Sequence, residues 1–328
     1  MVANVNPGTS VRPGAEALGL AETPLQQVWR AFRKDRLAMV GLWVLAALIL
    51  LAFLGKLLTE WWVVFDPATV RLPDKLMPPL SHASSTLARG LAPPLGLYPF
   101  GTDELGRNVF ARMLQGSFVS LSVGIVAVSI SLAIGISIGG FAGFYGQRKF
   151  GPISVDSLLM RFTDVVLCFP TFFLILTVVA LLSPSIYNIM IVIGITSWMG
   201  TARFVRAEFL ALREQDFVTA AKALGLPEWR IIFRHMVPNA MAPVLVSASI
   251  DVAYAILTES ALSFLGFGVR PPYATWGNIL ADGRSYIFDA PWLFVIPGSA
   301  ILIVVLAFNL LGEGLRDAMN PKLRKRAS

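Results

Sequence analysis

Long apolar runs without charges alternate with short polar stretches along this chain. A helix needs roughly 20 mostly apolar residues to cross a hydrocarbon layer about 30 Å thick, at 1.5 Å rise per residue. The run between Arg36 and Lys56 predicts a span over 37–55. The run between Arg112 and Arg148 has its apolar centre at 118–143. The stretch from Val165 to Ala202 is too long for one helix, and Ser183-Pro184-Ser185 divides it into 165–182 and 186–200, a helical hairpin with a tight turn. A fifth span follows Pro238 and ends near Glu259; a sixth lies between Asp289 and Glu313. The fold class is therefore all-α and integral to a membrane, with six transmembrane helices.

Flanking patterns divide the chain further. Thr23-Pro24 reads as an N-cap followed by proline at the first helical position. Leu25, Val28, Trp29 and Phe32 then fall at i, i+3, i+4 and i+7, with Arg30, Arg33 and Lys34 elsewhere, which predicts a short N-terminal interfacial helix. The first connection, 56–117, carries six basic and five acidic residues and is broken by prolines at 67, 73, 78, 79, 93, 94 and 99, so it predicts a packed external loop with too few apolar residues for a domain of its own. The resulting organisation is an N-terminal segment 1–36, a first span with its long external loop 37–117, a core 118–312 containing a cytoplasmic segment 203–238, and a C-terminal tail 313–328.

Composition agrees with the pattern. Apolar residues make up 55% of the chain and charged ones 14%, against about 25% charged in a soluble domain; the mean hydropathy is +0.68. The net charge of +7 would suit nucleic acid, but the basic residues sit beside apolar runs, as cytoplasmic flanks of spans do, and this excludes a nucleic-acid partner. The N-terminal segment, 148–161, 203–234 and the tail are rich in Lys and Arg, whereas 183–185 and 259–289 are not. Both termini are thus expected in the cytoplasm, as an even number of spans requires. The first 30 or so residues lack the apolar stretch of a cleavable leader, so the first span is expected to act as its own insertion signal. The single cysteine, Cys168, excludes an internal disulfide and a cysteine-based metal site, and its apolar neighbours predict a buried packing residue.

The cytoplasmic stretch from Asp216 to Pro238 carries the most specific pattern. Residues 217–224 are helix-prone and stop at Gly225, which can supply a left-handed C′ conformation; Pro227 opens a second helix, and Pro238 is expected to end it. Within it, Thr219-Ala220-Ala221-x3-Gly225-x9-His235-x-Val237-Pro238 resembles the EAA motif of ABC importer permeases, E-A-A-x3-G-x9-I-x-L-P. Thr219, His235 and Val237 depart from it. Small alanines and a glycine would let another protein's backbone come close. The resemblance implies that this is the coupling helix, docking into a cytoplasmic ATPase, with Thr219, Ala220, Ala221, Gly225, His235 and Pro238 as its marking positions.

Three further segments resemble the dipeptide/oligopeptide/nickel permease group, and within it the C-type subunit: Phe100-Gly-Thr-Asp-Glu-Leu-Gly-Arg-Asn108, Ser263-Phe-Leu-Gly-Phe-Gly-Val-Arg-Pro-Pro272 with Trp276-Gly277, and Ala307-Phe-Asn-Leu-Leu-Gly-Glu-Gly-Leu-Arg-Asp317. Asn108 stands where that group usually has Asp, and the loop around 81–97 is longer than usual. The resemblance implies a type I importer permease in a bacterial inner membrane. Its expected partners are a second homologous permease subunit, two cytoplasmic ABC ATPases that hold the ATP and Mg, an external solute-binding protein and membrane lipid. The expected cargo is a di- or oligopeptide; nickel or another small solute is the alternative.

Inside the spans, Ala127, Ser131, Gly135, Gly139 and Gly143 form a small-residue ridge at intervals of four, facing either a helix of this chain or a partner. Asp251 and Glu259, in or at the end of the fifth span, point within about 80° of each other on a helix. Intramembrane carboxylates usually face a cavity or a partner, so two readings fit: both line a translocation path, or both pair with a neighbouring helix. The chain has no G-x4-G-K-[S/T] phosphate loop, no H-E-x-x-H and no G-x-S-x-G, and its two histidines, His82 and His235, fall on opposite sides of the membrane. No cofactor, metal or catalytic site is expected in this chain. A self-sufficient secondary transporter would show an inverted repeat and broken helices around a midplane site, and the sequence shows no halves related in that way.

Overall fold

The computed structural model describes residues 24–84 and 92–319. The helices in chain order are α1 (Pro24–Lys34), α2 (Arg36–Lys56), α3 (Val109–Tyr145), α4 (Val155–Leu167), α5 (Thr171–Leu181), α6 (Ile186–Thr196), α7 (Trp198–Arg213), α8 (Asp216–Ala223), α9 (Glu228–Arg230), α10 (Val237–Phe264), α11 (Trp276–Gly283) and α12 (Trp292–Met319). Four continuous helices are long and apolar enough to cross a bilayer: Arg36–Trp61, Val109–Tyr145, Glu228–Phe264 and Trp292–Met319. The pairs α4–α5 and α6–α7 are bent by 75° and 42°, and the total is six where each bent pair is one crossing.

The two bends interrupt the spans expected over 165–182 and 186–200, after Leu167 and after Thr196, and each has a local cause. Pro170 caps α5 with extended backbone; it lacks an N–H and disfavours helical backbone in the residue before it, so α4 stops at Leu167. Cys168 lies in this break and is exposed rather than buried, its thiol donating to the Asp164 carbonyl at 3.3 Å. In the second pair the Thr196 hydroxyl donates to the carbonyls of Val192 (2.6 Å) and Ile193 (3.2 Å), a back-bonding that bends helices. Ser185 caps α6 by accepting from the Tyr187 N–H, closing the expected tight hairpin turn.

The expected cap at Thr23 lies outside the described residues. The entry to the membrane is fixed instead by Asp35, whose carboxylate accepts from the N–H groups of Leu37 (2.9 Å) and Ala38 (3.2 Å) at the start of α2. Phe32 of α1 is buried against Ala38 and Ala318, and Trp29 stacks on it at 5.8 Å. The amphipathic face of α1 therefore packs on α2 and the end of α12. That end extends beyond the predicted boundary at residue 313, because the apolar periodicity continues through Leu315 and Ala318.

Helix α3 is the axis of the bundle. At 37 residues it is about 55 Å long, well beyond a hydrocarbon layer. The ridge read from its sequence faces this chain. A Cβ on Gly135 would meet Thr201 at 2.7 Å, one on Gly139 would run into the Ala202 carbonyl, and one on Gly143 would meet the Arg206 carbonyl at 3.0 Å, so α7 lies directly on the glycines. Gly194 of α6 meets the Ala127 carbonyl in the same way, at 2.8 Å.

The external loop packs on the end of α3 without forming a domain. Its centre is Asp74, fully buried, whose carboxylate accepts from the Tyr98 hydroxyl (2.5 Å) and from the Ser84 N–H (3.2 Å). Two short strands, β1 (Ser81–His82) and β2 (Leu97–Tyr98), pair antiparallel beside it. Burial, and then the hydrogen bond to Asp74, raise the Tyr98 hydroxyl above its ordinary value of 10.0.

Two expectations follow. In the isolated chain in detergent, Gly139→Ala should destabilise by about 1–3 kcal/mol through overpacking, whereas Gly200→Ala, whose Cβ meets nothing within 4 Å, should be neutral or stabilising by up to about 1 kcal/mol; chemical unfolding of both variants checks this. A raised folded pKa gives stability that is fully present below the unfolded pKa and lost as pH rises through the folded one. The stability advantage of wild type over Tyr98→Phe should therefore be constant to about pH 10 and shrink above it, measured by unfolding across an alkaline pH series.

Candidate functional site

The segment between α7 and α10 folds as a short helix, a glycine turn and a second helix. Gln215, extended, precedes α8, and Leu224 closes it. Gly225 has φ +71°, the left-handed conformation predicted from its place after the helix. Val218 and Ala221 point inward and pack with Val205, Phe209, Ile231 and Met236. Thr219, Ala220 and Gly225 point outward. On the far side of the turn α9 begins after Pro227 and passes into a π-helical stretch, Ile231–Met236.

Pro238 does not end this second helix, contrary to the sequence expectation. It sits in the first turn of α10, where a missing N–H is tolerated. The widened π register just before it accommodates the proline, and the helix continues from Glu228 to Phe264. His235 lies in that stretch, partly buried, with its carbonyl accepting from the Asn239 side chain at 2.6 Å. One continuous helix thus runs from the Gly225 turn to Phe264, with Pro243 inside it. The segment is also braced from the side: Arg148 pairs with Glu228 (2.5 Å), and Lys222 lies 5.5 Å from the Phe144 ring.

The two intramembrane carboxylates have different surroundings. Glu259 is completely buried. Its Oε1 accepts from the Ser263 hydroxyl at 2.7 Å, and its Oε2 from the Ser120 hydroxyl of α3 at 3.5 Å; the Ser120 oxygen in turn accepts from the Trp276 N–H at 3.3 Å. Its surroundings are those of a structural pairing between α10, α3 and α11. Asp251, eight residues earlier, borders a cavity of about 70 Å³ lined also by Ser131, Ser197, Tyr254 and Thr258.

At the Val109 end of α3 the segments singled out in the sequence come together. Asp103 is fully buried, and its carboxylate holds Arg107 Nε at 2.7 Å, Arg112 Nη1 at 2.6 Å and the N–H groups of Leu105 and Arg107 at 2.9 Å each. Asp282 of α11 completes the cluster, 2.8 Å from Arg112 and 3.3 Å from Arg107. Two arginines and two aspartates leave it neutral. Gly106, at φ +71°, turns the loop so closely past Arg71 that a side chain there would collide with its backbone. Asn108 caps α3 through the Phe110 N–H (3.0 Å), a role in which Asn and Asp are nearly equivalent. The Trp276-Gly277 segment is seated by a capping box of Thr275 and Asn278, by the Ala274 N–H donating to Gln115 (2.9 Å), and by close approach of Gly277 to Ser260.

Residues 135–325, more than half of the chain, match the family described as the binding-protein-dependent transport system inner membrane component. The chain belongs to the binding-protein-dependent ABC permeases. Residues 23–79 of this permease match the N-terminal TM domain of oligopeptide transport permease C. It is 38% identical to the dipeptide transport system permease protein DppC of Alkalihalophilus pseudofirmus, over 95% of this chain and 94% of the relative. It is 35% identical to the oligopeptide transport system permease protein OppC of Bacillus subtilis, over 90% of this chain and 88% of the relative. An inward-facing structure of the MetNI methionine ABC transporter aligns with a TM-score of 0.48 at 18% identity, over 65% of this permease and 98% of that chain. Membership places the permease in an inner membrane, crossing it several times, with a transport rather than a catalytic role.

Sequence reasoning missed two groups of residues. The external cluster was quoted as a motif without its charges being paired; the signal was Arg112, a cation at the head of an apolar run four residues after Asn108. The outward apolar residues Leu224, Trp229 and Phe233 were also missed, although they are 80%, 61% and 65% exposed on a charged segment.

Removing one partner from a buried ion pair typically costs about 3–5 kcal/mol. Arg112→Met should lose stability on that scale, and Asp103→Asn should also destabilise, each leaving the cluster with a net charge. The double variant restores neutrality and keeps an acceptor for the Leu105 and Arg107 N–H groups, so its loss should fall clearly short of the sum. Unfolding of the four proteins in detergent measures the coupling.

Proposed function

We propose that this permease imports di- or oligopeptides, delivered by an external solute-binding protein and driven by ATP hydrolysed in separate chains. It works with a second homologous permease subunit and two cytoplasmic ATPases, with both of its own termini in the cytoplasm and α1 lying in the membrane interface. The relatives named as dipeptide and oligopeptide permeases, which align over nearly the whole chain, support the cargo. The 203–238 segment is the ATPase-docking element, with Thr219, Ala220, Ala221, Gly225, His235 and Pro238 as its marking positions.

One observation carries the docking assignment. Around Gly225, Leu224, Trp229 and Phe233 stand exposed beside Lys222, Glu228, Arg230 and Arg234. Apolar anchors rimmed by charges suit a protein partner better than lipid. Ala221 has the inward role of holding α8 down, while Thr219, Ala220 and Gly225 offer a low surface that a partner's backbone can approach. ATP-driven movement of this surface would be carried by the continuous helix 228–264 to the middle of the membrane, which is the link that alternating access needs. Of the two span-five acids, Asp251 borders the translocation path in this reading, and Glu259 holds the helices that form it.

A side chain at Gly225 would meet nothing within 4 Å inside this chain, and aspartate tolerates left-handed backbone better than most residues. Gly225→Asp should therefore fold and insert normally, yet bind the ATPases at least about tenfold more weakly, since a charge buried in a contact costs more than about 1.4 kcal/mol. Co-purification of the tagged permease with its ATPases, and ATP-driven peptide uptake into liposomes, read this out. Normal assembly and uptake by the variant would remove the docking assignment; uptake by the wild-type chain alone, without ATP, would replace the importer by a secondary transporter.

A further inference from the structure

Asp251 stands midway along the 28-residue α10, roughly 20 Å from either end of that helix. A carboxylate at that depth is expensive unless it meets water, a partner or a ligand. Among the described residues none donates a hydrogen bond to it and none forms an ion pair with it, whereas Glu259 on the same helix is bonded by two serines. Tyr254 and Thr258 follow Asp251 at i+3 and i+7, so they share its face, and Tyr254 is 65% exposed. This polar face is only partly covered by the rest of the chain, with Asp251 and Thr258 half-buried, and it does not suit lipid.

The cavity beside Asp251 is lined by the hydroxyl-bearing Ser131, Ser197, Tyr254 and Thr258 together with Ala127, Val128, Ile193 and Ala255. It offers acceptors and one negative charge, with no cation, imidazole or thiolate. That set is poor for a transition metal, which takes several nitrogen, sulfur or carboxylate ligands. It is well matched to an ammonium group, a compact cation with three donors. A free peptide carries such a group at its amino terminus, charged at neutral pH. A second cavity, of about 280 Å³, lies along α6 toward its external end. Arg270 is its one charged lining residue, among Ser183, Ser185 and Asn188. Ile189 lines this outer cavity and Ile193 the inner one, one helical turn apart on α6. The cation at the Arg270 cavity and the carboxylate at the Asp251 cavity, both beside α6, have the polarity that fits a zwitterion moving amino end first.

We propose that Asp251 receives the free α-ammonium group of the peptide in transit. The proposal rests on the peptide-import reading and adds to it a residue and the group that residue recognises.

The test uses the assembled permease–ATPase complex in detergent, without its binding protein, so that only the membrane path selects. Calorimetric titration with trialanine and with N-acetyl-trialanine should show at least about tenfold tighter binding of the free amine. Asp251→Asn should remove that preference, and Asp251→Glu should keep part of it. Equal affinity of the wild type for the two peptides, no binding of either, or an unchanged preference in Asp251→Asn, overturns the proposal. If Asp251→Asn fails to assemble while Asp251→Glu assembles, the carboxylate pairs with the second permease subunit, and the proposal is again overturned. Wild-type uptake into liposomes is measured in parallel: ATP-driven trialanine uptake keeps the import reading whatever Asp251 does, and its absence overturns that reading and the inference with it.

Discussion

Lipid tails are as apolar as leucine, so burying leucine against leucine between two spans gains little over leaving each in the bilayer. What holds such helices together is close backbone approach and the polar bonds between them. In this permease that constraint falls on α3. Its glycines at 116, 124, 135, 139 and 143 meet α11, α10 and α7 in turn, and Gly55 of α2 and Gly194 of α6 press on its carbonyls at Leu114 and Ala127. One helix with small residues on several faces therefore fixes the position of five others. The bend between α6 and α7 fits this constraint: α7 lies on the glycine ridge, and the kink at Thr196–Ser197 turns α6 onto the middle of the same helix at Ala127.

Polar bonds take over at the two ends, where α3 leaves the hydrocarbon. At the Val109 end, the Asp103–Arg107–Arg112–Asp282 cluster ties the loop, α3 and α11 into one block. A neutral, buried and fully bonded cluster has little tendency to rearrange, because separating any member leaves a charge without a partner. At the other end the pairs are Arg148–Glu228 and Arg203–Asp164, both exposed and worth at most about 1 kcal/mol each, and the half-buried Arg206–Asp156, held by two bonds.

The sequence disclosed what depends on periodicity, and hid what depends on contact. The apolar helices, the hairpin at Ser183–Ser185, the left-handed Gly225 and the small-residue ridge are local patterns, legible because lipid and left-handed backbone admit few residue types. Pro238 misled because a proline ends a helix only when the N–H it removes is needed; a π-helical turn just before it makes that N–H unnecessary. Cys168 misled because apolar neighbours in a membrane chain do not mean burial inside protein. The direction in which the ridge faces, and the pairing of Asp103 with Arg112 and Asp282, depend on parts of the chain far apart in sequence. No single stretch could carry that information.

Asp251 and Glu259 make the same point at the scale of one helix. By sequence they are two carboxylates eight residues apart, about 80° from each other around the axis, and any role given to one would seem to suit both. That angle is enough to give them different neighbours. Glu259 lies where three helices meet and serine hydroxyls supply the donors it needs. Asp251 lies beside a small cavity between α10, α3 and α6, where the proposed ammonium group supplies the partner for its charge. A carboxylate retained at mid-membrane without an internal partner is costly at every stage of folding, and that cost is offset only when something cationic arrives to meet it.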